Sequence, residues 1–419
     1  MYFNLIQNCK KNVLPAYKRA KYFSRIEKYL NNSFIKVIVG QRRAGKSYFL
    51  FQIIDHLQSI GVKEKQIVYI NKELDIEDII IHASDLEKAI DDYIHQQKLA
   101  QNEKLYIFID EIQDILQWEK IIRKWKALGQ YEIFITGSNS KLLSGELSTF
   151  LSGRYIELTI YPFDFIEYCE FQHIDINQHN FDNYLMYGGM PETIILEPDI
   201  KYDILSTLLD SILFRDVVCR YKINNVKLFE KIVKYLALNI GNLFNAKNLE
   251  NYLSSKNLKL SLPTISSYLK YLEHSFLVHP IDRYDIKGKS TLEFSQKVYF
   301  NDIGLRNAIS VNDLQYKSKM LENIVFLTLI SNGWKVYVGK FGDQEIDFIA
   351  HKNNEWKYIQ VVWFLISEKV IHREFSNLLN IKTGHPKMVV GYSDEVIGNY
   401  EGIKYMPIID FILDANQQG

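Results

Sequence analysis

Gly40, Gly45, Lys46 and Ser47 stand in the run GQRRAGKS, Gly40 to Ser47, which fits the pattern G-x4-G-K-S in full. That spacing suits a polyphosphate. Glycines let the chain curl until the amides of Gln41, Arg42, Arg43 and Ala44 point inward at phosphate oxygens, with the start of a helix adding its partial positive charge. Lys46 then reaches the β- and γ-phosphates, and the Ser47 hydroxyl ligates Mg²⁺. A second set closes the apolar run KLYIFIDEIQ, Lys104 to Gln113, with the acids Asp110 and Glu111. A phosphate-bound Mg²⁺ needs a carboxylate close by, the role that suits Asp110. Hydrolysis needs another to position and activate water, the role that suits Glu111.

These side chains need strands and turns to hold them. FIKVIVGQRRAGKSYFLFQII, Phe34 to Ile54, predicts a buried β-branched strand, a Gly-flanked turn and an apolar-periodic helix. KLYIFIDEIQ predicts a second strand, and after a helix over Trp118 to Leu128 comes a third, YEIFITGSNS (Tyr131 to Ser140). If this one lies between the other two, Ser138 or Asn139 sits beside the γ-phosphate, where an asparagine either orients the attacking water or only caps a helix. LSGRYIELTIYPF, Leu151 to Phe163, predicts another strand, entered through Arg154. Arg154 either meets nucleotide, in the same or a neighbouring subunit, or pairs with a surface acid.

GQRRAGKS, IFIDEIQ, ITGSNS and LSGRY, in this order and spacing, resemble the AAA-type P-loop ATPases of bacteria and archaea that carry a C-terminal domain of unknown function. The similarity continues through YPFDFIEY (Tyr161 to Tyr168), YGGMPE (Tyr187 to Glu192) and FRDVVCRY (Phe214 to Tyr221), and so runs along nearly the whole chain. The resemblance implies ATP and Mg²⁺ as cofactors and a five-stranded parallel core followed by a helical lid. It implies no physiological role.

From Val226 the pattern turns helical, with Phe229, Ile232, Val233, Leu236 and Ile240 on one face. A short helix over Ala246 to Lys256 follows. SLPTISSYLKYLEHSFLV then opens on Ser261 and Pro263 as start signals and turns Ile265, Leu269, Leu272 and Phe276 inward. With VHPIDRYD and KVYF as a hairpin, these three helices predict a winged helix-turn-helix. Thr264, Ser266, Ser267, Lys270 and Tyr271 would face outward from the third helix. The formal net charge of the 419 residues is zero, yet Lys222 to Lys297 hold twelve Lys/Arg against six acids, and residues 1 to 46 hold eleven against one. A basic surplus of this kind suits phosphate, so DNA is one expected partner. Winged helices also dock proteins, and this surface lacks the arginines that read guanine.

After YFNDIGLRNAI, a helix over Met320 to Asn332 carries Glu322, followed by strands WKVYVGKF, QEIDFIA with Asp347, and WKYIQVVWF with Gln360. This is similar to the order of PD-(D/E)xK nucleases, in which the matching acids hold Mg²⁺ and a lysine positions water. Here Gln360 replaces an acid and Val362 stands where the lysine belongs, so Glu322, Asp347 and Gln360 predict a degenerate pocket, with Gln360 satisfied by Asp347 or by backbone. The fold class is α/β: a P-loop parallel sheet with a helical lid, a winged helix-turn-helix and a C-terminal α/β nuclease-like domain. The expected divisions are a basic helical segment (1–33), an ATPase core (34–160), the lid (161–221), the winged helix (222–300) and the C-terminal domain (301–419).

Cys9, Cys169 and Cys219 form no CxxC pair, which points away from a metal knuckle and towards a reduced, cytoplasmic setting. No apolar run reaches the roughly 20 residues of a membrane span. The resulting expectation is an ATPase whose nucleotide state controls how the winged helix and C-terminal domain engage DNA or a protein partner, another copy of the chain included. The rivals are an ATP-dependent nuclease in which Lys335, Lys340 or Lys357 replaces the missing lysine, and a nucleotide-gated switch with protein partners only.

Overall fold

A computed structural model describes residues 17–74, 79–100, 103–140, 153–309, 316–365, 367–393 and 398–417. Residues 1–16 of the basic N-terminal segment, and Leu151 and Ser152 of the expected fourth strand, lie outside the described residues. The chain divides into two units, up to Ile160 and from Tyr161 onward.

The first unit is built on five strands whose sequences are near-continuous runs of β-branched and aromatic residues, the signature of a sheet covered on both faces. They are β1 (Ile35–Val39), β2 (Ile67–Asn71), β3 (Leu105–Asp110), β4 (Tyr131–Gly137) and β5 (Tyr155–Thr159). All neighbouring pairs are parallel, in the order β2-β3-β4-β1-β5. β4 therefore lies between β1 and β3, the condition on which Ser138 and Asn139 come near the Gly40–Ser47 turn. Among the described residues four helices flank the sheet: α1 (Ala20–Glu27), α2 (Lys46–Ser59), α3 (Ala83–Gln97) and α4 (Trp118–Leu128). The basic segment is thus anchored where it is described: α1 buries Tyr22, Phe23 and Ile26, with Tyr22 edge-on to Phe49 of α2 and Phe23 edge-on to His56. Two charges interrupt the apolar strands. Lys36 of β1 and Glu132 of β4 are both buried and pair at 2.6 Å, and Lys104 takes the other Glu132 oxygen at 2.5 Å. Across adjacent strands they satisfy each other, which is the condition for keeping a charge in such a place.

The second unit opens with α5 (Phe165–Gln172), α6 (Gln178–Tyr187), α7 (Pro191–Ile194) and α8 (Pro198–Ser211), the last running into a π-helical stretch, Ile212–Cys219. Next come α9 (Val226–Leu238), β6 (Leu243–Phe244), α10 (Ala246–Ser255), α11 (Leu262–His274), β7 (Val278–Asp285) and β8 (Ser290–Phe300). Three helices, α9 to α11, precede the β7–β8 hairpin, and β6 pairs antiparallel with β8. The third helix starts as the sequence predicts, the Ser261 hydroxyl capping the Thr264 N–H. Tyr271, expected to face outward, instead stacks on Tyr221 with ring centroids 3.8 Å apart, which leaves Ser266 and Lys270 as its exposed residues among those five.

The expected boundary at residue 300 does not separate two sheets. β7 pairs in parallel with β9 (Lys335–Phe341), so the wing strands continue into β10 (Gln344–Lys352), β11 (Glu355–Val362), β12 (Lys387–Gly391), β13 (Asn399–Tyr400) and β14 (Ile403–Pro407) as one nine-stranded sheet. α12 (Ile303–Ile309), α13 (Lys317–Ser331), α14 (Glu368–Leu379) and α15 (Ile408–Gln417) complete the unit. The 161–221 helices belong here too, and YGGMPE shows why. Gly188 has φ 71°, a Cβ on Gly189 would stand 1.9 Å from the Phe163 carbonyl oxygen, and the Gly189 N–H donates to buried Asp302 at 2.7 Å. Asp302 also accepts from the Leu305 N–H, so one carboxylate fastens the two-glycine turn to the start of α12. No helix among the described residues is long and apolar enough to cross a membrane.

Candidate functional site

The turn between β1 and α2 takes its shape from two glycines. Gly40 has φ 150°, and a Cβ there would lie 2.2 Å from the Ile160 carbonyl oxygen, so only glycine lets the chain leave β1 this close to the end of β5. Gly45, at φ 99°, is the cap residue of α2. Between them Arg43 also stands in the left-handed region, at φ 64°, with its side chain exposed, while Gln41, Arg42 and Ala44 are buried. Arg42 pairs with Glu73. Lys46 is buried in the first turn of α2; its ammonium donates to the Gln41 carbonyl at 3.2 Å and lies 3.3 Å from Glu111 Oε1.

Both acids of the β3 end join this group. Asp110 accepts hydrogen bonds from the Thr136 hydroxyl and, at 2.9 Å, the Tyr69 hydroxyl, and the nearby Ser47 hydroxyl helps to hold its charge. Glu111 turns off the strand at φ 57°, its N–H donating to Thr136 Oγ1 at 3.0 Å. Its carboxylate accepts from Gln113 and from the Ser138 N–H. Burial, then the neighbouring Glu111 charge, pushes the Asp110 carboxyl above its usual range. Burial presses Glu111 the same way, but the Lys46 ammonium, with Gln113, Arg42 and Ser138, outweighs it and holds this carboxyl below its ordinary value. The pair is therefore split: the second acid is the more firmly ionised of the two.

Asn139 is buried at the end of β4, beside Ser138, whose amide makes the contact to Glu111. Arg154 is not brought to this group. It precedes β5, level with the start of β1, where its carbonyl accepts from the Ile35 N–H and its side chain is exposed. Five parallel residues at about 3.3 Å each put it roughly 16 Å from the strand ends that carry the turn. The expectation that it meets nucleotide in its own chain is corrected by strand polarity. Three residues the motifs do not reveal do take part: Thr136 and Tyr69 through Asp110, and Arg19. Arg19 is buried with its guanidinium over the Tyr22 ring, and it donates to the Ala44 carbonyl inside the turn at 3.3 Å. Arg19 lies in the basic surplus of residues 1–46, yet composition does not say which of eleven cations turns inward.

The pocket expected near Glu322 is also assembled, with different partners. The Gln360 carbonyl accepts from the Asp347 N–H at 3.3 Å and its amide donates to Glu374 of α14 at 3.2 Å, so Glu374 and backbone satisfy it and the Asp347 carboxylate does not. None of the three expected substitute lysines fills the place left by Val362. Lys335 and Lys357 lie over the rings of Tyr337 and Trp334, and Lys340 stands opposite Glu345 in the β9–β10 ladder. The cation among these acids is Lys297, from β8.

The AAA domain family model matches residues 32–169, and a model for a domain of unknown function (DUF8612) matches residues 178–316. An uncharacterized protein of Haemophilus influenzae is 37% identical over 401 residues, which cover 94% of this chain and 98% of that one. The chain belongs to this family of AAA-domain proteins. A second relative, an uncharacterized protein of Methanocaldococcus jannaschii, is 33% identical over 91% of this chain and 88% of its own. Among solved structures the AAA-domain chain is similar to Cdc6p from Pyrobaculum aerophilum, at 12% identity over 74% of this chain and 96% of that one, with a TM-score of 0.31. So distant a likeness says nothing about function.

Proposed function

We propose that the first unit binds ATP with Mg²⁺ and hydrolyses it. The observation that carries this reading is the linked cluster at the ends of β1, β3 and β4: Lys46 on Glu111, Thr136 on both acids, and the Ser47 hydroxyl near Asp110. The donor set fits Mg²⁺, because a hydroxyl and a carboxylate, both hard oxygen ligands, lie near each other at Ser47 and Asp110. Held there, Mg²⁺ would offset charge on the β- and γ-phosphates. The chain supplies the rest. The amides from Gln41 to Gly45 take phosphate oxygens, and Lys46 exchanges Gln41 and Glu111 for phosphate. Glu111, ionised at neutral pH, takes the proton of the attacking water, with Ser138 and Asn139 beside it. Arg154 has no part in this scheme within its own chain; any role would have to be exerted on a neighbouring copy.

Lys46→Ala tests the reading. ATP affinity should fall at least tenfold, since one charged hydrogen bond of about 1.5–3 kcal/mol is lost, and phosphate release should cease. A variant that binds and hydrolyses ATP like the parent refutes it.

The finer part of the proposal is that nucleotide state governs how the winged helix and C-terminal strands engage DNA or a protein partner. Its support is the basic surplus from Lys222 onward, eleven Lys/Arg against six acids once buried Lys297 is set aside, together with the exposed Ser266 and Lys270 on α11.

A further inference from the structure

Nuclease-like chemistry would ask Glu322, Asp347 and Gln360 to hold Mg²⁺, and the donor set here does not fit that ion. Lys297, in the middle of β8 and 1% exposed, points its ammonium at three carboxylates. It lies 2.8 Å from Glu322 Oε1, 2.9 Å from Glu345 Oε1 and 3.2 Å from Asp347 Oδ1. The remaining oxygens are engaged as well. Lys319 takes Glu322 Oε2 at 2.7 Å, the Val361 N–H takes Asp347 Oδ2 at 3.0 Å, and Arg283 stands 4.0 Å from Glu345 Oε2. The Tyr299 hydroxyl donates to Glu322 at 2.5 Å. Three carboxylates thus face three cations, and the group is formally neutral.

Gln360 is held at both ends, its carbonyl accepting from the Asp347 N–H and its amide donating to Glu374. Among the described residues no three His, Cys, Asp or Glu side chains converge as a metal site. A divalent ion at Glu322 and Asp347 would place two further positive charges in a buried, balanced group unless Lys297 left, and uncompensated buried charge is strongly disfavoured. The register of β10 against β9 shifts between Ile346 and Ile349, a bulge that brackets Asp347 and can re-aim its side chain.

We infer that Lys297 is the cation of this pocket: its ammonium stands between Glu322 and Asp347 where a metal would, and it pins the wing strand β8 to α13 and β10. Through the ladder Lys297 is paired with Leu243 of β6 and Ile281 of β7, so the pin reaches all three strands of the winged helix. The C-terminal strands and the wing are then one body, and the pocket serves cohesion in place of hydrolysis.

The test uses the full chain without nucleotide and Mn²⁺ as the probe, counting bound Mn²⁺ by electron paramagnetic resonance and following thermal unfolding. In the wild type, Asp347→Asn should leave Mn²⁺ binding unchanged. Lys297→Met, which keeps the stem and removes the charge, should lower the melting temperature of this unit by roughly 10 °C. It should also gain one Mn²⁺ site that restores much of that loss and that a further Asp347→Asn removes. Asp347-dependent Mn²⁺ binding in the wild type overturns the inference, as does Mn²⁺-dependent nicking of plasmid DNA that Lys297→Met abolishes. A Lys297→Met protein that folds yet gains no Mn²⁺ site overturns the claim that the ammonium holds a metal's place. Should that variant not fold, the comparison of wild type with Asp347→Asn still decides, because the inference forbids any difference in Mn²⁺ binding between them.

Discussion

Thr136→Val is the sharpest probe of the first cluster, because one hydroxyl serves both acids. It donates to Asp110 and accepts from the Glu111 N–H at 3.0 Å. Valine fills nearly the same volume and removes both bonds. The hydrogen bond to a charged acceptor is worth about 1.5–3 kcal/mol, and a buried N–H left without an acceptor costs about 1–3 kcal/mol. Asp110 keeps Tyr69, so part of its share is retained, and a local loss of roughly 2–4 kcal/mol is expected. Hydrogen exchange should report it, with the amides of β3 and β4 exchanging faster than those of α3. Glu111 depends on the same bond to hold its left-handed turn at φ 57°, so its carboxylate should wander while the phosphate-binding turn stays in place. Misplacement by about 1 Å costs on the order of a hundredfold in rate, so turnover should fall by that order while ATP affinity changes little. Wild-type exchange together with wild-type turnover would refute the argument, since the hydroxyl would then be holding neither acid.

Glu111→Gln should keep ATP binding and lose turnover by about 10²–10⁴, since an amide cannot take water's proton; single-turnover hydrolysis measures it. Asp302 has a carboxyl pushed up to about 6 from 3.8, first by burial, against the opposing N–H groups of Gly189, Leu305 and Gly304. Between those values the folded chain keeps a proton that the unfolded chain releases, so this contribution is full below about pH 4 and is lost as pH rises through 6; it amounts to at most about 3 kcal/mol. Asp302→Ala should therefore cost more stability at pH 5 than at pH 8 in urea unfolding, and an equal cost at both would show that the carboxyl is not held up. Lys270→Glu should weaken DNA binding and lower the slope of log K against log salt by about one, and fluorescence anisotropy that shows no change removes α11 from the interface.

What the sequence discloses, and what it hides, follows from how far apart the partners lie along the chain. GQRRAGKS carries its own geometry within eight residues, and DEIQ marks the end of its strand, so Lys46, Ser47, Asp110 and Glu111 are legible without a fold. Helix α4 likewise runs over the predicted Trp118–Leu128, because its apolar positions recur at helical spacing and Gly129 ends it at φ 71°. Thr136 and Tyr69 are not legible, since each becomes a partner of Asp110 only once β2, β3 and β4 are laid side by side. Arg154 misleads for the same reason: a cation at a strand start belongs to the opposite edge of a parallel sheet from the turns that follow the strands. Tyr271 is lost to a stacking partner, Tyr221, fifty positions before it.

The two lysine–carboxylate groups show the same physics serving different ends. Lys46 and Glu111 are 3.3 Å apart, and the lysine's other contact is a backbone carbonyl within its own turn. Phosphate oxygens can therefore take over both of its contacts while Glu111 keeps Gln113 and Ser138. Lys297 has no such exchange open to it. Its partners come from α13 and β10, 25 and 50 residues further along, and each carboxylate is shared with a second donor, so freeing the lysine means opening the sheet. A lysine whose other contact is a carbonyl of its own turn can be handed to a ligand, whereas one held by three carboxylates from two distant elements is part of the fold. The first group is written in two short motifs, GQRRAGKS and DEIQ, whereas the second, at Lys297, carries no motif of its own.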